Sequence, residues 1–145
     1  MIQRIQTLYF LLTALSFGAV FFLPFAFSQT TTLPVFADQV FQVEEQPILL
    51  IQAIAGAVVA MAAILFFNNR PLQIRLGYLL ILQAIALPIV AFVLLSGMTS
   101  TMGSSAVVQY KPGLFVPVAA VLFSILAIIS IRKDEHLVKS MDRLR

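Results

Sequence analysis

Apolar and polar positions along this chain are arranged in blocks rather than alternating residue by residue. Four apolar blocks, Ile5–Phe27, Pro47–Phe67, Leu76–Leu95 and Gly113–Ile131, contain no Asp, Glu, Lys, Arg or His. Each approximates the ~20 helical residues that cross a ~30 Å hydrocarbon core. Unpaired peptide groups are costly in lipid, so helix is the expected form of each block. Together they predict an all-α membrane protein, a bundle of four transmembrane helices occupying 1–145 as a single domain. The first block also resembles a secretory signal, with Arg4 ahead of it and Ala26-Phe27-Ser28 as a cleavage box. Its length and its bulky Phe content favour an uncleaved span.

The polar intervals carry patterns of their own. Between the first two blocks, Leu33–Phe36 and Val40–Val43 are short β-prone runs around an Ala37-Asp38-Gln39 turn, which reads as a hairpin. Ser96–Ser105 is rich in Gly, Ser and Thr, and Ala106–Tyr110 resembles a further strand. A lone hairpin is marginal in water, so the third strand is expected to join it in a small β cap on the outer side. After Ile131, Leu137, Val138, Met141 and Leu144 recur at helical spacing, and Glu135 precedes Lys139 by four residues. Residues 132–145 are therefore expected to continue the fourth helix as a cytoplasmic, amphipathic, basic extension.

Charge sets the orientation. Arg4, Arg70, Arg75, Arg132, Lys133, Lys139, Arg143 and Arg145 flank the blocks on one side, eight of the nine Lys and Arg residues, and only Lys111 lies on the other. The positive-inside rule then predicts N-in, C-in topology. A multi-pass protein of the cytoplasmic (inner) membrane is the expectation. The net charge of +3 follows from that rule rather than from nucleic-acid binding, for which no aromatic or motif signal is present.

Composition agrees, with 61% hydrophobic and 10% charged residues against about 45–50% and about 25% in soluble domains. There are no cysteines, so disulfides, zinc-thiolate sites and Cys nucleophiles are ruled out. His136 is the sole histidine and reads as a solvated tail residue, while Asp134, Glu135 and Asp142 read as helix-face charges. No paired carboxylates, catalytic triad, phosphate loop or dinucleotide fingerprint is found, so neither enzymatic activity nor a cofactor or metal is expected.

The polar residues inside the blocks are uncharged: Thr7, Thr13, Ser16, Gln52, Gln83, Ser124 and Ser130. Counted from the cytoplasmic ends of their blocks, Thr13, Gln83 and Ser124 lie about 10–12 Å deep and Gln52 about 22 Å. That places Gln83 opposite Ser124 or Thr13 and away from Gln52. Interhelical hydrogen bonding is the favoured role for these residues, with a polar solute site around Gln83 as the alternative. Small residues recur at packing intervals in Ala53, Gly56, Ala60 and Ala63; in Pro117, Ala120, Ser124 and Ala127; in Gly77, Ala84 and Ala91; and in Ala14 and Gly18. Pro88 is expected to bend the third helix. Phe10, Phe17 and Phe21 share a face of the first, expected to meet lipid or, alternatively, another membrane protein.

Three stretches carry a resemblance: Met1-Ile2-Gln3-Arg4-Ile5-Gln6-Thr7-Leu8-Tyr9, Asn69-Arg70-Pro71-Leu72-Gln73-Ile74-Arg75-Leu76, and the ending Lys133-Asp134-Glu135 through Asp142-Arg143-Leu144-Arg145. Together they resemble the small Bacteroidota inner-membrane family known as domain of unknown function 4293. The resemblance implies four membrane helices in a diderm cytoplasmic membrane and supplies no activity. All three stretches fall on the basic side. Gln3, Arg4, Arg70, Gln73, Arg75, Arg132, Lys133, Lys139, Arg143 and Arg145 are thus a candidate cytoplasmic interaction surface, or else simply close their own bundle. The leading functional expectation is a non-enzymatic accessory or assembly subunit of a larger membrane complex, such as export or respiratory machinery. Its expected partners are membrane proteins, the bilayer itself, and anionic lipid headgroups at the tail. The alternatives are a homo-oligomeric transporter or channel for an uncharged solute, and a lipid- or quinone-binding protein.

Overall fold

The computed structural model describes residues 3–28, 40–102 and 108–142. Its elements in order are α1 (Gln3–Ala19), β1 (Ala26–Ser28), β2 (Val40–Phe41), α2 (Pro47–Leu65), α3 (Arg70–Met102), β3 (Val108–Tyr110) and α4 (Val116–Asp142). Single 3-10 turns at Val43–Glu45 and Pro112–Leu114 lead into α2 and α4. α1 packs against α2 and α4, and α3 packs against the same two, so the helices form a ring in chain order. Three helices are long and apolar enough to cross a membrane, whereas the apolar part of α1, Ile5–Ala19, is shorter.

The bundle is apolar outside as well as inside. Ile51, Ile54, Val58, Met61 and Leu65 on α2 and Leu82, Ile85 and Ile89 on α3 are all exposed. Continuous apolar surface on this scale exceeds what a soluble monomer shows, and it marks a membrane protein.

Packing between the helices follows size. The buried positions of α2 are Leu49, Ala53, Gly56, Ala60 and Ala63. Pro117, Ala120, Ser124 and Ala127 face inward from α4, and Gly77, Ala84 and Ala91 from α3. Into these small-residue seams α1 inserts large side chains: Phe10, Phe17 and Val20 are buried, with Gln6 and Thr13 on the same stripe. The fit is close. A Cβ on Gly56 would stand 2.5 Å from the Phe17 ring, and one on Gly77 would stand 2.7 Å from Ile128.

The aromatic stripe of α1 therefore points inward, with Phe21 half-buried against the same core, and neither the lipid-facing nor the docking reading of it holds. Ala14 and Gly18 are correspondingly off the seam, with open space beside Gly18. Where the other helices present Ala53, Gly56, Ala60, Gly77, Ala84, Ala120 and Ala127, large side chains from α1 fill the space at protein density, beside Leu80, Leu87 and Ile131 from α3 and α4.

α1 also ends earlier than the apolar block, at Ala19 rather than Phe27. Phe21 and Phe22 donate back to Gly18 and Ala19 at 3.2 and 3.1 Å, tightening the last turn. Pro24 then disfavours further helix at Leu23 and offers no N–H of its own. The chain proceeds instead as β1, the central strand of a three-stranded sheet in the order β2-β1-β3, antiparallel throughout. Phe27 stands opposite Val40 on one side and Gln109 on the other. Flanking bonds extend the pairing, with Phe25 N–H to Phe41 at 2.8 Å, Lys111 N–H to Phe25 at 2.9 Å and Gly113 N–H to Pro24 at 3.1 Å. Phe25, Ala26 and Phe41 are fully buried, and non-helical backbone in such a setting requires partners on both edges.

A small sheet was expected, but with a different centre. The strand anticipated at Val40 pairs with β1; its expected hairpin partner Leu33–Phe36 and the Ala37-Asp38-Gln39 turn lie outside the described residues. The Val108–Tyr110 strand joins β1 rather than β2. At the opposite end α4 continues without a break through the basic segment to Asp142. α3 likewise runs through Pro88 uninterrupted and extends well past the apolar block at both ends.

Candidate functional site

The polar groups fall into two sets, one inside the bundle and one at its basic end. Inside, the Gln83 carboxamide donates to the main-chain carbonyl of Gln52 at 3.0 Å, and the Gln52 carboxamide donates to that of Gln83 at 3.4 Å. These residues were expected at different depths. α3 starts at Arg70, however, so Gln83 lies thirteen residues from that end, as Gln52 does from the end of α2 at Leu65. Both distances are about 20 Å. Thr13 and Ser124, buried on α1 and α4, place their hydroxyls 3.4 Å apart, and Thr13 also donates to Tyr9 O at 3.0 Å. Gln83 thus pairs across α2 and α3 rather than with Ser124 or Thr13. Ser16 and Ser130 donate to Leu12 and Leu126 within their own helices, each at 2.8 Å.

The tight turn between α2 and α3 explains much of the Asn69–Leu76 pattern. Asn69 Oδ1 accepts from Leu72 N–H at 3.2 Å, an N-cap to α3, and Pro71 occupies the first turn, where its missing N–H costs nothing. Gln73 turns back and donates from Nε2 to Ala63 O at 2.8 Å, satisfying a carbonyl in the last turn of α2. Gln73 is consequently buried, at 1% exposure, and is not part of any interaction surface. Its Oε1 has no hydrogen-bond partner among the described residues.

Two further bonds tie the basic end together. Gln6 Nε2 donates to Asp134 Oδ2 at 2.6 Å, joining α1 to α4, and both residues are buried. Arg132 donates from Nη2 to the Tyr78 hydroxyl at 2.5 Å, with its guanidinium 5.8 Å from the centre of that ring, joining α4 to α3. Asp134 is therefore a bracing group, not a helix-face charge. Gln6 and Tyr78 were not singled out from sequence. The available signal for Gln6 was a polar residue four positions before Phe10 on the inward stripe.

Among the described residues, the charged side chains that remain exposed at this end are basic. Arg75, Arg132, Lys133 and His136 are exposed, and Arg70 is half-buried. Gln3 and Arg4 open α1 and Lys139 lies within α4, while Arg143 and Arg145 fall outside the described residues. A cleft of about 440 Å³ between α1 and α4 is lined by Ile5, Tyr9, Ser130, Lys133, Asp134 and Leu137. A shallower crevice of about 530 Å³ on α4 is lined by Ile129, Arg132, Lys133, His136 and Leu137. Among the described residues no three His, Cys, Asp or Glu side chains stand close enough to hold a metal ion. At the sheet end, Lys111 Nζ sits 5.7 Å from the centre of the Phe27 ring, and Phe92 lies against Tyr110.

Neither a curated protein nor a solved structure matches the chain. A family model does: described as a domain of unknown function (DUF4293), it matches residues 2–144, and the chain belongs to that family.

Proposed function

From membership of a family with no assigned activity, we propose that this protein is a non-enzymatic accessory or assembly subunit of a larger cytoplasmic-membrane complex, such as export or respiratory machinery. In this reading the chain crosses the membrane four times with both ends inside. The eight basic residues that flank the apolar blocks on one side in the sequence support that orientation. A Bacteroidota inner membrane is the setting the resemblance suggests.

The observation that carries the proposal is the packing between the helices among the described residues. Phe17 fills the centre against Gly56, and the paired carboxamides of Gln52 and Gln83 are committed to each other's main chain. A bundle so filled and cross-braced offers its surfaces, rather than a path between its helices, for work. The exposed Arg75 and the half-buried Arg70 at the start of α3 are the side chains we assign to contact with a partner protein. A carrier for an uncharged solute would need the Gln52–Gln83 pair to open, and no observation favours that.

The test is a mild-detergent pull-down of the tagged full-length chain at native expression, with mass spectrometry of what accompanies it. A reproducible near-stoichiometric membrane protein is the expected result. A lone monomer in both detergent and lipid nanodiscs would overturn the proposal.

A further inference from the structure

On α4, successive residues are 100° apart, which separates its two sides cleanly. Ala120, Ser124, Ala127, Ile131 and Asp134 face the bundle and are buried. The opposite side forms one sector of roughly 140°. Its upper part is an apolar column of Leu122, Ile125 and Ile129, all exposed. Directly below, one to two turns on, stand Arg132, Lys133 and His136, also exposed, with Ile129 and Leu137 lining the crevice of about 530 Å³ among them. The change from apolar to cationic occurs at Ile131–Arg132, where the apolar block ends.

We propose that this strip of α4 is a binding site for an anionic phospholipid, with its acyl chain along Leu122, Ile125 and Ile129 and its headgroup phosphate among Arg132, Lys133 and His136. The inference rests on the membrane-embedded reading of α4 and is independent of any protein partner. Three features make the strip more than a basic helix end. Tyr78 accepts from Arg132 and lies under its guanidinium, so the arginine is held in place while its remaining N–H groups stay available to a phosphate. Asp134, which shares the α1–α4 cleft with Lys133, is buried and bonded to Gln6, and Glu135 is half-buried and already engaged. The apolar column is continuous with the Arg132 and Lys133 cations, which matches an amphiphile and not a free anion.

The experiment is native mass spectrometry of the delipidated full-length chain in detergent, titrated with phosphatidylglycerol, with phosphatidylcholine of the same acyl chains, and separately with inorganic phosphate. Preferential retention of phosphatidylglycerol is expected, with no retention of phosphate. The double variant Arg132→Gln/Lys133→Gln should weaken that retention by about tenfold or more, whereas Arg75→Gln, exposed at the same end on α3, should leave most of it. Equal retention of the two lipids by the unaltered chain would overturn the proposal whatever the variants do. So would a phosphatidylglycerol preference that survives in the double variant, or phosphate binding as tight as lipid. A failed lipid preference would leave the pull-down result untouched, so the two readings fall separately.

Discussion

Gln52 and Gln83 each donate a side-chain hydrogen bond to the other's main-chain carbonyl, Gln83 at 3.0 Å and Gln52 at 3.4 Å. The two bonds clamp α2 and α3 about 20 Å from the basic end, within the apolar part of both helices, where an unmet carboxamide is costly.

The clamp predicts unequal effects of removing its halves. Gln83→Leu, which deletes the shorter bond, should cost more stability than Gln52→Leu, with both inside the ~0.6–2 kcal/mol span of interhelical polar contacts. Unfolding in mixed micelles ranks them. Solute flux in proteoliposomes should be the same for Gln83→Leu and the native chain, and a selective change in flux would favour a transport role.

Phe17 and Gly56 predict a size-dependent defect with a specific rescue. Gly56→Ala should destabilise the bundle by about 1–3 kcal/mol through overpacking, since its Cβ would meet the Phe17 ring at 2.5 Å. Adding Phe17→Leu should recover part of that loss. If the double variant is as unstable as the sum of the two single changes, the contact is not the cause.

Gly113 approaches the main chain rather than a side chain. A Cβ there would collide with the carbonyls of Leu23 and Pro24, which cannot swing aside as a side chain would. Gly113→Ala should therefore break the Gly113 N–H bond to Pro24 and loosen the adjoining sheet. Hydrogen exchange should accelerate at the amides of Phe25 and Lys111, both bonded across the sheet, and remain slow in the middle of α2.

At the other end, the Gln6–Asp134 bond should hold the start of α1 to α4. Asp134→Leu leaves the buried Gln6 carboxamide without its acceptor, at a cost of about 1–3 kcal/mol. Asp134→Asn retains an acceptor oxygen and should be milder. Limited proteolysis ahead of Tyr9 reports the release: cleavage should rise sharply for Leu and little for Asn.

Orientation is testable because the chain has no cysteine. Ser140→Cys should react with an impermeant maleimide only after the cytoplasmic face is opened, and Lys111→Cys should react in intact spheroplasts. The reverse pattern would invert the topology.

Much of the packing was legible in the sequence, and its failures share a cause. The seams Ala53-Gly56-Ala60-Ala63 and Pro117-Ala120-Ser124-Ala127 could be read because small residues at three-and-four spacing have one main use in a membrane bundle. α1 was misread because its large residues only make sense against those seams, a relation between helices that no single segment displays. Apolarity alone also carried the first span on to Phe27, although Pro24 marked the break and a fully paired central strand is as apolar as a helix. The depth of Gln83 was misjudged for a related reason. The apolar run begins at Leu76, but Asn69 caps the helix seven residues earlier. At the basic end, Asp134 looked solvated because its partner, Gln6, is 128 positions away in the chain.

The place of β1 in the middle of its sheet has a consequence for biogenesis. The strand is made early, yet its second neighbour comes from Val108–Tyr110, with Phe27 facing Gln109 across 82 positions of chain. Until the ribosome has released α3 and the residues beyond it, one edge of β1 has no native partner, and such edges recruit other strands. Insertion of the last helix is thus also the step that seals the first, and a nascent chain stalled before residue 108 would present an open edge to chaperones and proteases.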